Sequence, residues 1–147
     1  MTFLAVICLV PLLKNQFVVG PIVNGLLFSS VMILGVFPAI LLCILPSCIA
    51  LLAGILPISF AFMIPFIVIS NILLVTAFSA FYKNTYFGAS LLASVLKFFF
   101  LFGAIFLFLK TNTLRIEAEK LTLMFGYIQL ASALIGSILA YGVKKLF

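Results

Sequence analysis

The chain has 147 residues, of which 67% are hydrophobic and 7% charged, with a formal net charge of +6. That leaves too little polar surface to cover a water-soluble globule, so lipid must be the solvent for most side chains. Long runs of Leu, Ile, Phe and Ala without alternating polar positions select spanning helices over barrel strands, giving an all-α, polytopic membrane bundle in a single domain over residues 1–147.

Histidine is absent, and the two acids, Glu117 and Glu119, both lie in the polar stretch TNTLRIEAEK at Thr111–Lys120. Zinc sites, carboxylate-held magnesium, His- or Asp-based intramembrane hydrolysis and buried carboxylate proton relays lose their ligands and bases. No cofactor is expected, and an enzyme is the weakest functional class. Cys8, Cys43 and Cys48 sit inside apolar runs without a C-x-x-C pair and read as small apolar fillers. The positive charge is spread over short loops, which fits loops facing anionic head groups and argues against nucleic acid as a partner.

Proline, glycine and charge divide the chain into six apolar segments. The first, Thr2–Leu13, lacks a basic lead and a small-residue cleavage site, and is expected to be a retained helix. Phe17–Phe37 follows, with Gly20 and Pro21 in its opening turn, where a missing amide is tolerated. Pro38–Ile55 is broken in its middle by Pro46 and Ser47, and Pro57–Phe81 is interrupted by Pro65. After the polar YKNT at Tyr82–Thr85 comes Phe87–Leu109, then the charged loop and Leu121–Val143. The expected count is six short spans, or five with a re-entrant segment. The joints Gly35–Pro38 and Gly54–Pro57 are short enough to force antiparallel neighbours. Lys83, Lys144 and Lys145 would gather on one face, and Lys14, Lys110, Arg115 and Lys120 on the other. A difference of one base does not orient the bundle.

Lys97 interrupts ASVLKFFFLF in the fifth segment. It lies about 14 Å of rise beyond Gly88, farther than a lysine stem of about 6 Å reaches. Placing it there costs about 3 kcal/mol. Helical spacing puts it on one stripe with Ser90, Ser94 and Ala104, away from most of the phenylalanines. Three readings remain open for it: a neutral amine hydrogen-bonded to carbonyls freed by a broken helix, since burial disfavours the charged form, an acid on another subunit, or an anionic ligand. Asn71 and Gln129 are further buried polar groups suited to hydrogen-bonding a ligand or another helix. Asn24 and Gln16 are expected near the entrance. In the sixth segment Ser132, Gly136 and Ala140 follow Gln129 in a ladder of small residues suited to close helix packing or to a partner interface. A half-helix starting near Ser47 would aim its positive dipole end into the bundle.

The runs GPIVN (Gly20–Asn24), LPSCIALLAGILP (Leu45–Pro57), MIPFIVISN (Met63–Asn71) and QLASALIG (Gln129–Gly136), in this order, resemble the small substrate-capture subunits of energy-coupling factor transporters. The resemblance covers nearly the whole chain. It implies a six-helix protein of a bacterial-type plasma membrane, with both termini cytoplasmic and an outward-opening pocket lidded by Lys14–Gly20. Such a protein would bind a vitamin or vitamin precursor and pass it to a transmembrane scaffold subunit and two ATP-hydrolysing subunits. Metal cargo is disfavoured by the missing histidine and buried carboxylate. The expectation is capture of a small, most simply anionic, organic solute through Lys97, Asn71, Gln129, Asn24, Gln16 and Ser94. The alternative is a structural or assembly subunit of a larger membrane complex.

Overall fold

A computed structural model describes residues 5–6, 9–13, 15–52, 54, 58–110 and 118–146. Residues 2–4, 7 and 8 of the first expected segment, most of the Gly54–Pro57 joint and the Thr111–Glu117 part of the charged loop, with Arg115, lie outside the described residues, as does Lys14. Every regular element among the described residues is helical.

The first long helix, α1 (Gln16–Leu34), starts at Asn15, whose Oδ1 accepts from the amide of Phe17 at 3.1 Å. That contact satisfies one of the donors a helix start leaves without an internal partner. Pro21 lies in the second turn of α1, one turn deeper than expected, and deletes one internal hydrogen bond. The helix ends at Gly35, whose φ of 92° suits glycine. The short α2 (Val36–Leu42) begins at once, so Pro38 falls in its first turn rather than opening it. A turn at Cys43 and Ile44 separates α2 from α3 (Leu45–Leu52), which has Pro46 in its first turn. This is the break expected at Pro46 and Ser47.

Pro65 does not interrupt a helix. It stands in the first turn of α4 (Ile64–Phe81), where its missing amide costs nothing, and Ile58–Met63 ahead of it forms a 3-10 turn. The polar turn Tyr82–Thr85 leads into α5 (Tyr86–Lys110), which at about 1.5 Å per residue spans about 37 Å. The last span runs through α6 (Ala118–Thr122), a π turn at Leu123–Tyr127, and α7 (Ile128–Leu146). Four helical stretches, Phe17–Leu34, Ala61–Phe81, Tyr86–Lys110 and Ala118–Lys145, are long and apolar enough to cross a membrane, and Val36–Leu52 forms a shorter apolar pair. The fold is therefore all-helical with four to five such helices, compatible with a membrane protein.

Chain direction places the starts of α1, α4 and α6 and the end of α5 at one end of the bundle, here the Lys110 end. Lys83, Lys144 and Lys145 gather at the other, where the Lys144 Nζ lies 5.3 Å from the centre of the Tyr86 ring. α1 is the central helix, with 56% of its span buried against 33–39% for the other three. It meets α7 with main chain against main chain at Gly136, where an added Cβ would lie 2.7 Å from both the Gly25 amide nitrogen and the Pro21 carbonyl oxygen. Small residues permit this approach. Ser132, Gly136 and Ala140 thus pack against or beside α1 within the chain, and all three are buried.

Two apolar clusters hold the bundle. The larger surrounds α1 and includes Phe28 edge-on to Phe78 at 4.7 Å; the smaller joins Met63, Leu101, Ile105, Leu121 and Phe125. Phe99, Phe106, Leu107 and Ile138 are exposed, as an apolar solvent allows.

Candidate functional site

The polar stripe of α5 faces inward as its spacing predicts: Ser90, Ser94, Lys97 and Ala104 are all buried, and Phe99 and Phe106 point out. Lys97 lies eleven residues into this helix, about 16 Å from its start, and is 2% exposed. Its Nζ donates to Asn24 Oδ1 at 2.8 Å and to Asn71 Oδ1 at 2.7 Å. Asn24 Nδ2 donates in turn to Ser132 Oγ at 3.0 Å, and that hydroxyl donates to the Gln129 carbonyl at 2.9 Å. One connected polar network therefore ties α5 to α1, α4 and α7.

Within the chain the lysine's partners are side chains and not backbone carbonyls freed by a broken helix. Side-chain amide oxygens take the place of freed backbone carbonyls, and they satisfy two of the three hydrogen-bonding positions of the amine. Asn24 was expected near the entrance. The structure puts it at the centre, in the third turn of α1 and 2% exposed, because the seam with α7 draws that face of α1 inward.

A cavity of about 90 Å³ lies beside this network. Lys97, Asn24, Asn71, Gln129 and Ser47 supply its polar wall; Val19, Val23, Ala50, Ile67, Met124 and Phe125 supply the apolar one. It sits where the two apolar clusters meet, in the half of the bundle nearer the Lys110 end, since it takes residues from the early turns of α1 and α4. The π turn contributes Met124 and Phe125, and Gln129 follows on the next turn. π turns of this kind recur at functional sites.

The other expected site residues divide. Lys97, Asn24, Asn71 and Gln129 converge on one cavity, and the Gln129 side-chain amide makes no hydrogen bond among the described residues. Ser94 does not reach it: its hydroxyl donates to the Ser90 carbonyl one turn back, at 2.7 Å. Gln16 starts α1, but its side chain lies outside the described residues. In the sequence Ser47 marks a helix break and the start of a half-helix aimed into the bundle, and its hydroxyl is not singled out as a site group. Ser47 is 5% exposed, and its Oγ is buried without a partner. The available signal was a Pro-Ser pair in the middle of an apolar run, which marks a hydroxyl held near a broken helix end.

The cavity wall therefore presents one amine, together with one hydroxyl and one amide that have no partner among the described residues, beside an apolar face. Among the described residues no cluster of His, Cys, Asp or Glu offers a metal site. Comparison of the chain with protein-family models, curated proteins and solved structures found no match.

Proposed function

We propose that this protein is a membrane-embedded solute-capture subunit that binds a small anionic organic molecule in the cavity beside Lys97. One observation carries the reading. An amine in the middle of a spanning helix is held by two neutral amide oxygens, has no carboxylate beside it among the described residues, and borders an open cavity. A buried cation without an acid beside it is stabilised by an incoming anion.

The energy-coupling factor resemblance extends this reading. The chain would comprise six membrane segments, or five with Val36–Leu52 as a re-entrant pair, in a bacterial-type plasma membrane with both termini cytoplasmic. The cargo would be a vitamin or vitamin precursor, delivered to a transmembrane scaffold subunit and two ATP-hydrolysing subunits. The cavity's position in the Lys110 half suits an outward opening in the orientation that the resemblance implies, with the Lys144 and Lys145 end facing the cytoplasm. The alternative assembly role used the Ser132, Gly136 and Ala140 face as a partner surface. Coverage of that face by α1 weighs against it.

Native mass spectrometry of the detergent-purified protein tests the proposal. The wild type should carry a small anionic molecule, and Lys97→Gln, which keeps two N–H donors for the asparagines but removes the charge, should not. Equal retention by Lys97→Gln, or a wild type that carries and acquires nothing, would overturn it.

A further inference from the structure

We infer that the guest's charged group is a single carboxylate, seated between Lys97 and Ser47 at the start of α3. This rests on the capture reading and adds the chemistry of the anion and the residue that receives it.

Three features converge. Ser47 lines the same cavity as Lys97, and its hydroxyl is the buried side-chain polar atom without a partner among the described residues. An enclosed, unpaired hydroxyl is costly, and a guest's acceptor atom removes that cost. Ser47 stands in the first turn of α3, where the helix dipole favours negative charge and the leading amides lack internal partners. On the opposite side, the amine has one hydrogen-bonding position left after Asn24 and Asn71.

The inventory also selects the anion. Among the described residues the cavity is lined by one amine and no guanidinium, so they lack the fork geometry and added charge that hold phosphate groups. A carboxylate has two oxygens, one for the amine and one for the hydroxyl. At about 90 Å³ the space takes a short acyl body outright, and a ring or longer chain only as its wall gives, and Val23, Ile67 and Phe125 make that body apolar. Gln129 is left to bond a polar group elsewhere on the guest.

Calorimetric titration of the purified protein with butyrate, hexanoate and benzoate, each paired with its neutral amide, tests this. The wild type should bind at least one carboxylate in preference to its amide. Ser47→Ala should weaken that binding by about tenfold, as loss of a hydrogen bond to a charged group requires, and leave amide binding unchanged. Ser47→Thr, which restores a hydroxyl, should recover most of the loss. Folding is not at issue in Ser47→Ala, because the hydroxyl has no partner among the described residues to lose. Unchanged carboxylate binding in Ser47→Ala would overturn the subsite and leave solute capture standing. The same holds if the wild type binds none of the carboxylates yet retains another small molecule in native mass spectrometry. Binding of no probe and retention of no molecule would overturn both.

Discussion

Replacing Lys97 by Met removes the nitrogen shared by Asn24 and Asn71 and leaves their oxygens facing an apolar side chain. Both asparagines are buried, at 2% and 3% exposed, so neither oxygen can turn to bulk solvent. Each stranded acceptor costs about 1–3 kcal/mol. Against this, taking a lysine out of the middle of a span recovers about 3 kcal/mol. The opposing effects nearly cancel, and Lys97→Met should be destabilised by only about 1 kcal/mol. The pairing itself is read by a double-mutant cycle. Asn71→Leu deprives the amine of one acceptor, and the double variant Lys97→Met/Asn71→Leu contains neither that donor nor that acceptor. It should therefore be more stable than the sum of the single effects implies, by about 1–2 kcal/mol, toward the upper end for interhelical hydrogen bonds in membranes. Unfolding by SDS in mixed micelles, followed by far-ultraviolet circular dichroism at fixed protein and detergent concentration, measures all four proteins. Additivity within about 0.5 kcal/mol would show that the 2.7 Å contact does not hold α4 to α5 and would refute the argument.

Gly136→Ala should destabilise by about 1–3 kcal/mol, because the new methyl meets main-chain atoms of α1 at 2.7 Å and the seam must open. Gly103→Ala, with nothing within 4 Å, serves as control in the same unfolding titration and should be unchanged or more stable. Tyr86→Phe removes the hydroxyl that donates to the Ser137 carbonyl at 2.7 Å and should lower stability by about 1 kcal/mol in thermal unfolding. Tyr82→Phe, whose hydroxyl makes no hydrogen bond among the described residues, should not.

Much of the site was legible because polar groups are costly in apolar runs. Lys97, Asn24, Asn71 and Gln129 stand out of their segments on that ground, and all four meet at one cavity. Their pairing was not legible, because it depends on how closely α1 approaches α7. Gly25 and Gly136 set that distance from sequence positions more than a hundred residues apart. The stripe of Ser90, Ser94 and Lys97 was read correctly as inward-facing. Spacing alone did not show that Ser94 would turn back on its own helix. Gly35, the Pro46 break and the Tyr82–Thr85 turn appear where punctuation placed them. Pro65 misled because a proline that starts a helix and one that breaks it look alike when the preceding residues are equally apolar. The π turn at Leu123–Tyr127 has no periodic signature short enough to see in five residues.

The choice of asparagine over aspartate around Lys97 connects the fold to the proposed activity. A carboxylate at residue 24 or 71 would occupy the same place and accept the same hydrogen bond, but it would cancel the charge and leave the cavity no electrostatic preference for an anion. Two amide oxygens orient the amine and leave its charge uncancelled, at the expense of stability that an internal ion pair or an apolar residue would supply. The walls differ in the same sense. α1 and α7 touch main chain to main chain and cannot separate without losing the Asn24–Ser132 bond. α3, by contrast, is eight residues long, set off by the turn at Cys43–Ile44 on one side and by Gly54, with φ of 73°, on the other. On the proposed reading the rigid seam holds the amine in place, and the short helix that carries Ser47 is the wall that shifts when a guest enters.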